Sequence, residues 1–150
     1  MTGDMIGEPT EAYDVTDEIF SWKTPPADLD TKAILEISYN KNDWQPILDK
    51  GKNYSYTYYN APKISSITPP YGPVKSPNNE TVDIIGKNFQ CPENDCSNLW
   101  VRFGDPENGI FVKGEKIGED RIRAQVPKYT KPDVLPVEIT FNGQDYTHDN

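Results

Sequence analysis

The sequence is poor in the residues on which catalytic and metal sites most often depend. Its 150 residues include one His and two Cys. A four-ligand zinc site would need carboxylates to complete it, and the acidic loop Glu93-Asn94-Asp95 lacks the ordered oxygen ligands of a calcium loop. His148, the one histidine, stands two residues from the end of the sequence, where a catalytic base is not expected. We therefore expect no catalytic residue, no bound metal and no cofactor.

Positive charge and long apolar segments are also scarce. The chain has 15 Lys and Arg against 24 Asp and Glu, which gives a net charge of −9. This balance opposes a phosphate backbone, so we expect no binding to nucleic acid. The sequence has no apolar window of about 18 residues, and its first 14 residues lack the basic and apolar regions of a secretory signal. We expect neither insertion into a membrane nor an export signal.

The two cysteines, Cys91 and Cys96, lie in the sequence CPENDC. In an exported protein they would close a small disulfide loop, whereas in the cytosol they would be thiols beside acidic residues that disfavour the thiolate. Two triplets, Asn53-Tyr54-Ser55 and Asn79-Glu80-Thr81, fit the N-glycosylation pattern. The sparse cysteines and the missing signal favour an intracellular, cytoplasmic or cytoskeletal location, with an extracellular one as the alternative.

Turn-forming and β-forming residues are abundant instead. The chain contains 14 Pro and 10 Gly, and between them apolar and polar residues alternate in short runs. These runs predict strands at 81–89, 99–104, 109–114 and 121–127. Short strands separated by turns predict an antiparallel sandwich of immunoglobulin type, which needs about seven strands in about 100 residues.

One phrase of the sequence occurs twice. LEISYNKNDW at 35–44 matches VEITFNGQDY at 137–146, a spacing of 102 residues that also aligns Pro25 with Pro127. Each copy alternates with period two, which predicts a strand with a core face and a solvent face that ends at an Asn turn. The predicted core faces are Leu35, Ile37 and Tyr39 in the first copy and Val137, Ile139 and Phe141 in the second. The predicted solvent face of the second copy consists of Glu138 and Thr140.

An ordered set of motifs follows residue 60. Its members are Pro62–Ile64, Tyr71-Gly72-Pro73, Gly86–Phe89, Phe103-Gly104 and Pro127. This set resembles the IPT/TIG domain family (immunoglobulin-like, plexin, transcription factor), with the filamin-type repeat as the runner-up relative. The resemblance implies an all-β, immunoglobulin-like antiparallel β-sandwich of the E-set type, in tandem. Residues 1–60 would be the C-terminal portion of a first unit, and 61–150 a second unit that lacks its last strand.

The same resemblance implies a non-enzymatic structural and protein-interaction role. The chain would be a segment of a tandem array that acts as a scaffold or spacer in a larger assembly, with the cytoskeleton as one setting. The alternative is the extracellular stalk of a cell-surface receptor, which implies a Cys91–Cys96 disulfide and glycans at Asn53 or Asn79. A Rel-type DNA-binding dimerisation domain is disfavoured by the acidic charge. The expected partners are proteins or neighbouring repeats, and an incomplete sandwich would also favour strand exchange with another chain.

Aromatic residues are the candidate contact residues. If its strand alternates, Trp100 lies on the face opposite Leu99, Val101 and Phe103, and therefore points outward. The further candidates are Trp44, Tyr54, Tyr56 and Tyr58. The tyrosines have a second interpretation as ordinary strand residues with one face against a core.

Overall fold

The structure is a computed structural model that describes residues 8–27, 31–75 and 79–148. The chain divides into two compact units, residues 1–59 and 60–150. The first contains β1 (Lys32–Ile34), β2 (Glu36–Ile37), β3 (Gln45–Pro46), β4 (Leu48–Asp49), β5 (Lys52–Asn53) and β6 (Ser55–Thr57). The second contains β7 (Lys63–Thr68), β8 (Thr81–Lys87), β9 (Trp100–Phe103), β10 (Ile110–Lys116), β11 (Arg121–Gln125) and β12 (Val137–Thr140). One turn of 3-10 helix, Pro92–Asn94, is the remaining regular element of the described residues.

The second unit is an antiparallel sheet of six strands in the order β12-β9-β10-β11-β8-β7. β10 pairs with β9 through Ile110–Lys113 and with β11 through Gly114–Lys116, so the sheet turns from one layer into the other along this strand. A Cβ atom at Gly114 would lie 2.8 Å from Cγ of Leu99 and 3.3 Å from Cγ2 of Ile122. Glycine therefore allows side chains from both layers to meet closely at this point.

The core of the second unit lies between these two layers. The core residues follow the period-two alternation of the strands. Val82 and Ile84 of β8 are buried, as are Ile122 and Ala124 of β11, while their neighbours are more exposed. The other buried apolar residues are Phe89, Cys91, Leu99, Val101, Phe103, Ile139 and Phe141. The four predicted strands are present with ends within two residues of the prediction, and the all-β, immunoglobulin-like fold class is confirmed.

The prediction for the two faces of β12 is wrong on one side. Ile139 and Phe141 are in the core as expected, but Glu138 and Thr140 on the opposite face are buried as well. Glu138 forms an ion pair with Arg102, and the hydroxyl of Thr140 accepts a hydrogen bond from the Gly143 N–H at 3.1 Å. Polar side chains with such partners are retained in a buried position, which alternation alone does not reveal.

The first unit consists of short antiparallel pairs. β1 pairs with β6, β2 with β3 and β4 with β5, so a small hairpin, Leu48–Asn53, interrupts the run that follows the Asn turn. No described residue of this unit is fully buried. The predicted core residue Tyr39 is 94% exposed, and that prediction is wrong. Alternation predicts a buried face only where a second layer of strands covers it. The described residues of this unit do not form a layer comparable to β7 and β8.

The two Asn turns have the same hydrogen bonds. Oδ1 of Asn40 accepts N–H groups two and three residues later at 2.9 and 2.8 Å, and Oδ1 of Asn142 does the same at the same distances. The side-chain amide of each Asn donates to the Asp three residues later, at 2.6 and 2.7 Å respectively. Lys41 (φ 65°) and Gly143 (φ 74°) are both left-handed. The turns are Asx turns, in which the side chain replaces a backbone acceptor.

A backbone pairing recurs at the same spacing. Tyr13 and Ser21 form an isolated antiparallel bridge, and 102 residues later Glu115 and Arg123 are register partners in β10 and β11. The described residues of the first unit therefore include counterparts of three parts of the second: the β10–β11 pair, β12 and its Asn turn.

Candidate interaction surface

The outer face of β12, β9 and β10 carries two cross-strand rows of side chains. Glu138, Arg102 and Phe111 are register partners in the first row. The second row consists of Thr140, Trp100 and Lys113. Since side chains directly opposite each other on one face come into contact, residues from three separate parts of the sequence form one surface.

Arg102 and Glu138 form a buried ion pair at the base of this surface. The Tyr146 ring covers them, with its centroid 4.2 Å from Cζ of Arg102, and burial raises the pKa of its phenol. Nε of Arg102 is buried and has no hydrogen-bond partner among the described residues. Nδ1 of the exposed His148 lies 3.4 Å from the second carboxylate oxygen of Glu138. The carboxylate thus holds the guanidinium under the tyrosine, which makes this part of the surface rigid.

Above this base lies an aromatic surface, the Trp100 patch, formed by Trp100, Phe111, Lys113 and Tyr146. Trp100 is 36% exposed and Phe111 is 48% exposed, and the Phe111 and Tyr146 ring centroids are 6.0 Å apart. Nζ of Lys113 lies 4.6 Å from the centroid of the Trp100 ring and donates to the Ser97 carbonyl oxygen. Large, partly exposed rings held in fixed positions lose little conformational entropy on binding, which is typical of protein contact surfaces.

The remaining sequence candidates belong to the first unit. Trp44, Tyr54 and Tyr56 are partly exposed there. Tyr58 is more enclosed, because its hydroxyl donates to the Pro25 carbonyl oxygen at 2.8 Å and its ring centroid is 5.0 Å from that of Tyr56. Burial raises the pKa of the Tyr58 phenol. These contacts give Tyr58 a structural role and leave Tyr54, Tyr56 and Trp44 as exposed aromatic residues.

Cys91 and Cys96 are joined by a disulfide in the structure, with their Cα atoms 5.0 Å apart. The bond closes the loop that contains the 3-10 turn Pro92–Asn94. Within residues 8–27, 31–75 and 79–148 no three His, Cys, Asp or Glu side chains are grouped as metal ligands would be. In the same ranges no helix is long and apolar enough to cross a membrane.

Alternation within β9 was sufficient to predict that Trp100 points outward, and the structure places it there. Its partners were not predicted, because Phe111 and Lys113 come from β10 and Tyr146 follows the Asn turn. The sequence contained one signal for this surface. Arg102 and Glu138 have opposite charges and lie on two strands of equal length, β9 and β12. Assigning it requires the register of β9 against β12, which the sequence does not show.

The outer edge of β12 is bound by the segment that follows the Asn turn. On its inner side β12 pairs with β9 through its whole length. On its outer side Ile139 exchanges hydrogen bonds with Thr147, whose N–H donates to the Ile139 carbonyl oxygen at 3.0 Å and whose Oγ1 accepts from the Ile139 N–H at 3.0 Å. Ile139 is fully buried, whereas Val137 is only half-buried. Thr147 therefore occupies the outer edge of β12 at Ile139.

Comparison with known proteins places the second unit in a family. No curated protein matches the chain. Residues 62–150, more than half of the chain, match the family model of the IPT/TIG domain. The match begins immediately before β7 and includes both the Trp100 patch and β12. The chain therefore belongs to the IPT/TIG domain family, whose members are immunoglobulin-like, non-catalytic protein-interaction modules.

Proposed function

We propose that the chain is a non-enzymatic spacer and docking segment of a tandem array, in which the Trp100 patch contacts a partner protein. The observation that carries the docking role is the patch itself, where the partly exposed rings of Trp100 and Phe111 lie on adjacent strands and Phe111 stands beside the buried Arg102–Glu138 pair. Its location on a regular sheet rather than a loop makes the geometry stable. Lys113, and His148 at the rim of the patch, add polar groups that can pair with carboxylates or carbonyl oxygens of a partner.

The tandem arrangement is supported by the features that recur 102 residues apart. The Asn40 and Asn142 turns share their hydrogen bonds, and the Tyr13–Ser21 bridge corresponds to a register pair of the second unit. A short joint, residues 60–62, leads from the first unit into β7.

Substitution within the patch tests the docking role. Trp100→Ala with Phe111→Ala should abolish recovery of a partner from an extract of the native source, because the two truncations remove the large exposed rings of the patch. Tyr71→Ala is the matched control, since Tyr71 is an exposed aromatic residue outside the patch. Circular dichroism must show the same fold for both variants. Equal recovery of every protein by the wild type and the patch variant would exclude the patch as a docking surface.

A second candidate, an extracellular stalk, is favoured by the Cys91–Cys96 disulfide. Disulfides persist in oxidising compartments, and the exposed residues Asn53 and Asn79 stand in N-glycosylation triplets. The intact mass of the native protein distinguishes the candidates. Two mass units gained on reduction, together with a mass lost on treatment with an N-glycosidase, would support the stalk. Free thiols and an unmodified mass would contradict the stalk.

A further inference from the structure

We propose that the Cys91–Cys96 disulfide is a redox switch for the Trp100 patch. In the oxidised chain the loop that this bond closes holds Lys113 over the Trp100 ring, and reduction to two thiols releases Lys113 and uncovers the ring. The proposal rests on the function proposed above, because it names a means of regulating the same surface. It follows from the contacts that join the disulfide loop to the patch.

The Lys113 ammonium is held by the segment that ends the disulfide loop. Nζ lies 4.6 Å from the centroid of the Trp100 ring and donates to the Ser97 carbonyl oxygen. The Ser97 N–H in turn donates to Oδ1 of Asp95 at 2.8 Å. Hydrogen bonds from Ser97, and then the charge of Lys113, hold the pKa of the Asp95 carboxyl below its ordinary value. Asp95 and Ser97 are the two neighbours of Cys96, so the disulfide fixes the position of both.

The loop has a backbone conformation that side chains disfavour. Glu93 (φ 53°) and Asn94 (φ 60°) are consecutive residues in the left-handed region. Their turn is closed by the Asn94 N–H, which donates to the Cys91 carbonyl oxygen at 3.0 Å, and by the Asp95 N–H, which donates to that of Pro92 at 2.9 Å. Two such residues in succession carry a conformational cost. The covalent bond opposes this cost by keeping the ends of the loop together, so its loss should allow the turn to open.

The two ends of the disulfide differ in their surroundings. Cys91 is 8% exposed and follows the fully buried Phe89 by two residues, so as a thiol it remains a small apolar residue of the core. Cys96 is half-buried, and a backbone hydrogen bond from the Leu99 N–H to its carbonyl oxygen, at 3.1 Å, joins it to the start of β9. Reduction therefore leaves the Cys91 end in place and frees the Cys96 end, which carries the groups that bind Lys113.

The switch requires a dithiol as its reductant. One thiolate of the dithiol attacks Sγ of Cys96, which forms a mixed disulfide and expels Sγ of Cys91 as a thiolate that takes up a proton. The second thiol of the dithiol then attacks the sulfur that the dithiol contributed to the mixed disulfide, and Cys96 leaves as the second thiol. Two electrons and two protons thus pass to the protein, and the dithiol becomes a disulfide. A disulfide oxidant reverses both steps.

Quenching of Trp100 fluorescence by acrylamide tests the switch in the full chain. The chain contains three tryptophans, so Trp22→Phe with Trp44→Phe leaves Trp100 as the fluorescent one. Dithiothreitol, a dithiol, should raise the Stern–Volmer constant of this variant because it uncovers the ring. Oxidised glutathione should restore the lower value. Mass spectrometry after alkylation of thiols measures how much of the bond is reduced in each sample.

Three further variants, made in the same background, calibrate the response. Lys113→Ala uncovers Trp100 in both redox states, so its constant should be high, unresponsive to dithiothreitol and equal to that of the reduced parent chain. Cys91→Ala with Cys96→Ala should give the same high value without reductant. Lys87→Ala is the matched control, since Lys87 is an exposed lysine of β8 outside the patch, and it should keep the full response.

Equal Stern–Volmer constants in the oxidised and reduced chains would overturn the proposal. So would a bond that dithiothreitol does not reduce in the folded chain, or a response that persists in Lys113→Ala. Circular dichroism should show the same β-sheet content before and after reduction. Loss of the fold would also overturn the proposal, because the bond would then control the whole second unit. These measurements use no partner protein, so their failure leaves the docking role of the Trp100 patch to its own test.

Discussion

Arg102 and Glu138 form an ion pair on the outer face of a sheet, yet both are almost fully buried, because Tyr146 covers them. An ion pair in this position is not a surface salt bridge. Removing one partner leaves the other charge enclosed without compensation, which is much more costly than losing an exposed pair.

Glu138→Gln should therefore lower the free energy of unfolding of the second unit by about 3–5 kcal/mol in urea denaturation. Arg102→Met with Glu138→Leu should cost less than the single change, because no charge remains buried. Arg121→Gln is the matched control: Arg121 lies 3.6 Å from Asp83 but is exposed, and its loss should cost less than about 1 kcal/mol. Equal effects of Glu138→Gln and Arg121→Gln would contradict this reasoning.

The Asn turns should differ in their contribution to stability. Asn142→Ala removes an acceptor for two backbone N–H groups next to buried Thr140, and should cost about 1–2 kcal/mol. Asn40→Ala removes the same bonds from the first unit, where no described residue is buried, and should leave the main unfolding transition unchanged. Thermal unfolding followed by circular dichroism checks both variants, and a matching decrease in Tm for Asn40→Ala would refute the prediction.

Gly86 of β8 lies against the backbone of β7. A Cβ atom there would collide with the Lys63 carbonyl oxygen and lie 2.5 Å from Cζ of Phe89. Gly86→Ala should therefore destabilise the second unit by about 3 kcal/mol, measured by urea denaturation. At Gly72 the nearest atom is Oε2 of Glu80 at 3.4 Å, so Gly72→Ala should change stability by less than about 0.5 kcal/mol. A neutral Gly86→Ala would show that β7 can shift away from β8.

The Cys91–Cys96 bond closes a loop of sequence separation 5 and should stabilise the second unit by about 2 kcal/mol, mainly by restricting the unfolded chain. Cys91→Ala with Cys96→Ala should lower Tm accordingly. Reductant should lower Tm of the wild type by a similar amount and leave the variant unchanged. A wild type whose Tm does not respond to reductant would show that the bond contributes nothing.

The ionisation of Asp83 makes the stability of the second unit depend on pH in the acid range. Hydrogen bonding to Arg123, at 2.8 and 3.2 Å, holds the pKa of its carboxyl below the ordinary value of 3.8. A lowered folded-state pKa stabilises the fold above the unfolded-state value, and this contribution is lost as pH falls through the folded-state pKa. The Tm difference between the wild type and Asp83→Asn should be constant above about pH 5 and shrink below about pH 4. A difference that stays constant into acid would exclude Asp83 as the titrating group.

The strands of the second unit were predictable because alternation and turn residues agree along the sequence. Val82 and Ile84 alternate with exposed neighbours, and the Asn142-Gly143 pair marks the end of β12. The burial of Glu138 was not predictable, since it depends on Tyr146, which returns over the sheet after the turn. A period-two pattern describes one strand and contains no information about what covers its outer face.

The candidate site was predictable only in part for the same reason. The outward direction of Trp100 follows from its own strand, but its neighbours Phe111 and Lys113 follow from the register of β9 against β10. Tyr39 was wrongly placed because a core face needs a second layer, and the described residues of the first unit do not form that layer.

β10 belongs to both layers of the second unit, since its first half pairs with β9 and its second half with β11. A load that pulls one layer along the other must therefore break hydrogen bonds of one continuous strand on both sides together. The two layers are therefore coupled through one strand, and we expect the unit to yield in one step under tension. A unit that keeps its length until one rupture would suit the spacer role proposed above.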